Sequence, residues 1–270
     1  MTLTETAFAK INLALHVRRR RSDGYHELET LFAFVDKGDR LRAKPAERDG
    51  ITLAGEFAPA LGNTLDNIVA RALGALPRRD GLAIDLEKNL PVAAGLGGGS
   101  ADAGAIFRMV RHAYSLPDDW KALAARLGAD VPACVESRTS IGRGTGTDLA
   151  LADDSLAGAA VLLVNPRIPL ATGPVFAHWD GIDRGPLPPG DARAIALDGR
   201  NDLEAPALAL VPTIADVLDT IRETAPWLTR MSGSGATCFA LYDNESMRDA
   251  ASARIEAEHP DWWTMAGRLR

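Results

Sequence analysis

The densest chemical signal in the sequence is the run Gly95-Leu96-Gly97-Gly98-Gly99-Ser100, in which four of six residues are glycine. Glycine loses more backbone freedom on ordering than any other residue, so a merely connecting loop gains little from four of them. What they permit is close approach. Consecutive backbone N–H groups can turn inward around an anion, and a helix starting near Ser100 would add its positive N-terminal end. Ser100, at the cap, could present its hydroxyl to a phosphate or to a bound Mg2+. The same residues also suit a tight turn beside a helix cap, and on their own they leave both possibilities open. Familiar phosphate signatures do not fit. No Gly-Lys-Ser or Gly-Lys-Thr follows the loop, Ser100 stands where a dinucleotide fingerprint has its third glycine, and the protein-kinase signatures are absent.

Two further places carry reactive side chains. Residues 7 to 17 alternate, with Ala7, Ala9, Ile11, Leu13, Leu15 and Val17 on one face and Lys10, Asn12 and His16 on the other, which predicts a half-buried strand. Because the side-chain period of a strand is two, Lys10 and Asn12 project together. Asp130 lies in Gly128-Ala129-Asp130-Val131-Pro132, a corner fixed by its glycine and proline. A strand lysine is also compatible with plain solvation, and an aspartate before Val-Pro with a turn or cap.

The elements that must hold these groups follow from periodicity. The turn Ser22-Asp23-Gly24 precedes Tyr25 and His26 and an apolar element over Leu28 to Val35. Asp66 is placed to cap a helix from Asn67 to Leu76, followed by Pro77. A strand near Leu82 to Leu86 leads through Pro91 into the glycine run and then a long helix with Ile106, Phe107, Val110 and Ala113 on its apolar face. A helix over Trp120 to Leu127 ends at Gly128. Later elements are a strand at Ala160 to Val164, a Pro- and Gly-rich stretch from Pro166 to Gly190, helices at about 204 to 210 and 213 to 223, a strand from Thr237 to Tyr242 and a helix near 245 to 258. The pattern restarts after residue 150, which divides the chain into two expected domains, 1–150 and 151–270.

Composition narrows the class. With 270 residues, 46% hydrophobic and 24% charged, the chain can bury a sizeable core and is neither disordered nor fibrous. Its formal charge of -6 disfavours a nucleic-acid partner, which calls for a basic face. The one basic run, Arg18 to Arg21, fits a solvated turn or a contact with a phosphorylated substrate. Cys134 and Cys238 stand singly in apolar contexts and read as small buried hydrophobes. No apolar run approaches the ~18 residues needed to span a bilayer, and the N-terminal apolar stretch precedes the arginines, the reverse of a secretory signal. A cytoplasmic chain with no membrane partner is the simplest expectation.

The segment Pro91-Val92-Ala93-Ala94-Gly95-Leu96-Gly97-Gly98-Gly99-Ser100-Ala101-Asp102-Ala103 resembles the second motif of the GHMP small-molecule kinases. Ala9-Lys10-Ile11-Asn12-Leu13 and Met231-Ser232-Gly233-Ser234-Gly235-Ala236-Thr237-Cys238-Phe239 resemble their first and third motifs, in the same order. Three spaced blocks are far more specific than one. Arg21 to Leu28, Leu127 to Pro132 and Asn201-Asp202-Leu203-Glu204 are similar to a branch of that superfamily whose alcohol substrate carries a cytidine diphosphate group.

The resemblance implies an α+β two-domain fold, with an N-terminal domain of the ribosomal protein S5 domain 2-like type and a ferredoxin-like C-terminal domain, and an active site in the cleft between them. It implies ATP and Mg2+ as cofactors, with Pro91 to Ala101, Asn67 and Lys88 at the nucleotide and Ser100 at the metal. Asp130 is then the base that takes the acceptor's proton, with Lys10 beside it. Tyr25 and Phe176 would flank cytosine, His26 would hydrogen-bond it, and Asn12, Thr172, Gly233 and Gly235 would complete the substrate site. On residue type alone Tyr25 and His26 also suit a surface turn, Phe176 a core, and Asn67 and Lys88 a helix start and a strand end. Two departures are Thr147, where relatives often carry an acidic residue, and a short loop from Asp153 to Gly158. Rival readings are a mevalonate- or homoserine-kinase relative, a nucleic-acid-binding module and an NAD-dependent dehydrogenase. Asp23-Gly24-Tyr25-His26, the acidic balance and Ser100 in place of a third glycine respectively disfavour them.

Overall fold

Alternation near the N-terminus does build a strand, β1 (Leu3–Arg20), but it is not half-buried. From Ala9 to Val17 both faces are covered, so Lys10, Asn12 and His16 are buried with their apolar neighbours. The computed structural model describes residues 2–61 and 67–270. After β1 come β2 (His26–Ala46), β3 (Gly50–Ala54), a 3-10 turn at Ala58–Leu61, α1 (Ile68–Ala75), β4 (Gly81–Glu87), α2 (Gly98–Tyr114), α3 (Trp120–Leu127) and α4 (Val131–Glu136). They are followed by β5 (Ser140–Gly144), β6 (Asp148–Leu151), β7 (Ala160–Asn165), α5 (Thr172–Ala177), α6 (Ala192–Asp198), α7 (Glu204–Leu210) and α8 (Thr213–Arg222). The last elements are β8 (Leu228–Met231), β9 (Cys238–Tyr242), α9 (Glu245–Glu258) and β10 (Trp263–Arg268). Among the described residues no helix is long and apolar enough to cross a membrane.

The chain divides into two compact units. The first comprises Met1–Ala9, Lys37–Val92 and Gly97–Ser137. In it the later half of β2 pairs antiparallel with β4, and β3 pairs parallel with β4. The helix α2 packs against α1 and α4. At Gly104 a Cβ would stand 2.6 Å from the Cys134 carbonyl, so glycine is what lets α2 and α4 approach this closely. Arg108 of α2 fastens the layer to β1: it donates to Thr6 O at 2.6 Å, Cys134 O at 2.6 Å and Glu5 Oε2 at 3.0 Å.

The second unit comprises Lys10–Asp36, Ala93–Leu96 and Arg138–Arg270. Here the first half of β2 pairs antiparallel with β5, and β5 with β6. A separate four-stranded antiparallel sheet has the order β10-β7-β9-β8. Alternate residues of β7 (Ala160, Leu162, Val164) and β9 (Cys238, Ala240, Tyr242) turn one face toward Ile214, Val217 and Ile221 of α8 and Ala251 and Ile255 of α9. Four strands in this order with two helices on one face form the ferredoxin-like arrangement. Both cysteines are buried, as their contexts predict.

Two buried polar clusters hold these units. In the first unit the Lys88 ammonium sits between Asp39 and Asp102, 2.7 Å from Asp102 Oδ2, with all three side chains buried. Asp39 also accepts from the N–H groups of Asn89 at 2.6 Å and Leu90 at 2.8 Å, so it is the better-satisfied carboxylate. Burial pushes the Asp102 carboxyl up to about 8, against the opposing pull of Lys88. In the second unit the buried His16 ring accepts from Arg200 N at 3.1 Å through Nε2 and donates from Nδ1 to Pro186 O at 2.9 Å. Burial, then the nearby Arg200, holds its pKa below the usual histidine value.

Lys88→Met should cost about 3 to 5 kcal/mol in urea unfolding, because it leaves buried carboxylates without their cation. Asp102→Asn should behave otherwise. With its folded pKa raised, Asp102 contributes stability that is full below pH ~4 and is lost as pH rises through about 8. Relative to the parent, the Asn variant should therefore gain urea stability progressively from about pH 4 to about pH 8, and its advantage should be larger at pH 9 than at pH 5. His16 has the opposite sign: its folded pKa is depressed, so its contribution is full above ~6.5 and disappears as pH falls below that value. His16→Gln should flatten the fall in urea midpoint between pH 7 and pH 5.

Candidate active site

The glycine run delivers the chain into α2 two residues earlier than the sequence suggests. The N-cap is Gly97, in the left-handed region at φ 60°, and Ser100 lies inside the first turn instead of at the cap. A glycine cap has no side chain to offer, and no side chain caps this helix. The first intrahelical bond closes from Ala101 N to Gly97 O at 2.7 Å, leaving the N–H groups of Gly98, Gly99 and Ser100 for an outside acceptor. Helix charge and open donors together fit a nucleotide's phosphate chain. A Cβ on Gly128 would stand 3.7 Å from Ser100 Oγ, so the corner that begins at Gly128 adjoins this turn. Asp130 occupies the N-cap position of α4, yet its carboxylate does not cap that helix.

In the second unit the three sequence blocks meet. Lys10 Nζ donates to Asn12 Oδ1 at 2.7 Å, as the strand period requires, and lies 5.7 Å from the centre of the Phe32 ring. Asn12 Nδ2 donates to Thr30 Oγ1 at 2.8 Å, and Thr30 passes the chain on to Ala14 O at 2.7 Å. Lys10 N donates to Leu96 O at 3.0 Å, which sets the front of the glycine run against β1. Ser232 joins all three blocks: its hydroxyl accepts from Asn12 N at 3.2 Å and donates to Gly95 O at 2.9 Å. Thr237 N reaches Ala94 O at 3.1 Å, and Leu170 N reaches Ala93 O at 3.1 Å.

The loop Ser232 to Thr237 is itself clamped from outside. Asn201 Nδ2 donates to the carbonyls of Met231 and Gly233, each at 2.8 Å, and Glu204 accepts from Met231 N at 3.1 Å. Gly233 and Gly235 both have positive φ, 56° and 85°. A Cβ on Gly233 would stand 3.0 Å from Asn12 Oδ1, whereas one on Gly235 would press on Met231 Sδ at 2.8 Å. Gly233 thus touches the polar centre, and Gly235 serves the packing behind it. Thr172, at the start of α5, shares a 3.0 Å hydrogen bond with Ser234.

An aromatic group forms a second focus in this unit. The His26 ring lies 4.8 Å from the Phe176 ring and 5.7 Å, edge-on, from Trp179. Tyr25 leaves 62% of its surface exposed, an unusual position for a large aromatic ring and one open to stacking. Trp179 was not singled out from the sequence; a lone Trp in a Pro- and Gly-rich stretch carries no periodic signal. Ser232 and Asn201 lay inside blocks recognised as a whole.

Two residues expected at the nucleotide also have partners within the fold. Asn67 is the cap of α1, its Oδ1 accepting from Val69 N at 2.9 Å; Asp66, expected to cap, lies outside the described residues. Lys88 is not a solvated strand end: its ammonium is committed to Asp39 and Asp102, beneath the first turn of α2. A Cβ on Gly98 would stand 3.5 Å from that ammonium.

Comparison with known proteins agrees with this arrangement. The model for the GHMP kinases N terminal domain matches residues 64–138, and that for the GHMP kinases C terminal matches residues 191–261. The chain is 68% identical over 270 residues to a 4-diphosphocytidyl-2-C-methyl-D-erythritol kinase of Novosphingobium aromaticivorans, covering 100% of this chain and 94% of the relative. It is 62% identical to the protein of the same name from Erythrobacter litoralis, covering 99% of this chain and 100% of that one. A crystal structure of 4-(cytidine 5'-diphospho)-2C-methyl-D-erythritol kinase superposes with a TM-score of 0.82 at 33% identity, over 99% of both chains. A homoserine kinase from Cytophaga hutchinsonii, at 15% identity and a TM-score of 0.64 over 99% of this chain and 95% of that one, shares the fold alone. With these two models matched in order and 68% identity along its whole length, the chain belongs to the GHMP kinases, in the family of 4-diphosphocytidyl-2-C-methyl-D-erythritol kinases.

Proposed function

We infer that the chain transfers the γ-phosphoryl group of ATP to the 2-hydroxyl of 4-diphosphocytidyl-2-C-methyl-D-erythritol, giving ADP and the 2-phosphate, a step toward isoprenoid precursors by the non-mevalonate route. Identity of 68% along the whole chain to a relative of that name carries this reading most directly. The open N–H groups at Gly98, Gly99 and Ser100 support the phosphate half of it, and the aromatic group around His26 supports the cytidine half.

Phosphoryl transfer depends mainly on positioning and on stabilising charge spread over phosphate oxygens, because the transition state is loose. The segment Pro91 to Ala101 cradles the phosphates, and Asn67 and Lys88 lie toward the adenosine side. Mg2+, held from the protein side by the Ser100 hydroxyl, would supply positive charge against the charge that develops on the phosphates. Among the described residues no three His, Cys, Asp or Glu side chains converge as a metal cluster. Mg2+ at such sites is held largely by substrate phosphates and water, so the Ser100 hydroxyl is a sufficient protein ligand. Asp130 accepts the proton of the 2-hydroxyl as its oxygen attacks the γ-phosphorus and the bond to the β-phosphate oxygen breaks. Lys10, held in place by Asn12, stabilises the charge that develops. Tyr25 and Phe176 take the faces of cytosine, where base–aromatic stacking is worth about 1 to 3 kcal/mol per base. His26 hydrogen-bonds the base, and Asn12, Thr172, Gly233 and Gly235 line the rest of the substrate site.

Asp130→Asn and Lys10→Ala should each retain ATP binding while turnover falls by ~10² to 10⁴. Equilibrium nucleotide binding beside steady-state rates checks this, and near-normal turnover in either variant would remove that residue from the chemistry. ADP release with ATP and Mg2+ should appear with the cytidyl substrate and stay at background with mevalonate or homoserine. Activity confined to either of the latter would reassign the acceptor.

A further inference from the structure

Four arginines close β1 and open the turn after it, and three of them have carboxylate partners. Arg18 pairs with Glu29 and Asp183, Arg19 with Glu27, and Arg21 with Asp23. Arg20 is used differently. Its Nε donates to His26 Nε2 in a long bond of 3.4 Å, and a terminal nitrogen reaches Ala177 O at 3.5 Å. Together with Arg18, Arg19, Trp179, Asp180 and Gly181 it lines a surface hollow of about 400 Å³.

We propose that Arg20 is a positioning residue for His26: by donating to Nε2 it holds the imidazole as the neutral form protonated on Nδ1, so that Nδ1–H is the donor offered to an acceptor atom of the substrate's cytosine. This rests on the reading of His26 as the base-binding residue. A guanidinium cannot accept a hydrogen bond and is always charged, so a ring nitrogen facing it must carry the lone pair. In a neutral imidazole one nitrogen donates and the other accepts, and fixing one fixes the other. The rings of Phe176 and Trp179 limit how the imidazole can turn, so a defined tautomer becomes a defined donor direction.

The surroundings favour the neutral ring. Burial, and after it the charge of Arg20, keeps the His26 pKa below the ordinary value. The other charged or titratable groups on the elements around the ring are already engaged: Glu27 with Arg19, Asp23 with Arg21, Asp180 with Arg184, and the His178 Nδ1 with Pro174 O at 2.8 Å.

Two variants separate the hydrogen bond from the charge. Arg20→Met keeps length and loses both; Arg20→Gln loses the charge and keeps an N–H donor. In ¹⁵N spectra of the full-length protein the parent should show His26 protonated on Nδ1, the Met variant should shift toward the Nε2-protonated form, and the Gln variant, whose carboxamide can accept as well as donate, should lie between them. For the Met variant KM for the cytidyl substrate should rise about fivefold while kcat and KM for ATP stay within about twofold, as expected for loss of one hydrogen bond that acts equally in ground and transition states. The acid limb of KM against pH should move upward in both variants, since both lose the charge. Arg19→Gln, which alters a neighbour paired to Glu27, should change none of these. An Nε2-protonated His26 in the parent, an unaltered tautomer in the Met variant or an unchanged KM for the cytidyl substrate would each overturn the proposal. A parent chain unable to use the cytidyl substrate would overturn the functional reading instead, and the ¹⁵N spectra would still decide the bond between Arg20 and His26.

Discussion

Where a Cβ on Gly95 would stand, the Ser232 carbonyl oxygen is 2.3 Å away and the Gly235 nitrogen 3.0 Å. No other residue fits, so two segments 137 residues apart in sequence meet backbone against backbone. That contact is the constraint behind the organisation of the second unit. It allows the Ser232 hydroxyl to reach Gly95 O and the N–H of Asn12 at once, and Asn12 in turn holds the Lys10 ammonium. The glycines of the run consequently serve different ends. Gly95 makes room for protein backbone, Gly97 supplies a left-handed cap, and Gly98 and Gly99 leave helix donors uncovered. Only the last two leave donors uncovered for an anion, although composition alone gives all four the same appearance.

Burying this seam has a polar consequence. A strand covered on both faces must satisfy every polar side chain it carries, since an unpartnered buried group costs about 1 to 3 kcal/mol. Lys10, Asn12 and Thr30 do so by bonding in series, and His16 does so by dividing its two nitrogens between a backbone donor and backbone acceptors. The same logic explains Asn201. Its one side chain satisfies two carbonyls of a loop whose positive φ values leave it without a regular ladder.

Much of this was legible from residue types because the informative features are local. Period two paired Lys10 with Asn12, Gly128 ended α3, and the short apolar runs of β7 and β9 marked two strands of the second sheet. What escaped is non-local or weakly patterned. Lys88 looks like any strand-end lysine until Asp39, 49 positions earlier, and Asp102, 14 later, are brought to it. The burial of the polar face of β1 depends on what covers it, which no alternation within the strand can reveal. β3 and β10 are short and contain few strongly strand-forming residues, α5 lies in a stretch whose Pro and Gly content suggests loop, and Ser100 looked like a cap because a glycine is a poor helix residue everywhere except at the start. The candidates Lys10, Asn12, Ser100, Gly233 and Gly235 stood out through three blocks taken together; no single block, read by composition, distinguished chemistry from a turn.

The electrostatics under the glycine run tie stability to function. Lys88 lies beneath the first turn of α2, close to Gly98, and two carboxylates share its one charge. Were both ionised, the cluster would carry a net negative charge directly behind a group of donors meant for a polyanion, in a region too dry to screen it. Burial instead raises the Asp102 pKa, so at neutral pH the proton it retains leaves a balanced Asp39–Lys88 pair. The positive end of α2 then has no net opposing charge behind it. The desolvation that raises the Asp102 pKa thus weakens the fold as pH rises and, at neutral pH, removes a negative charge from behind the uncovered donors of Gly98, Gly99 and Ser100.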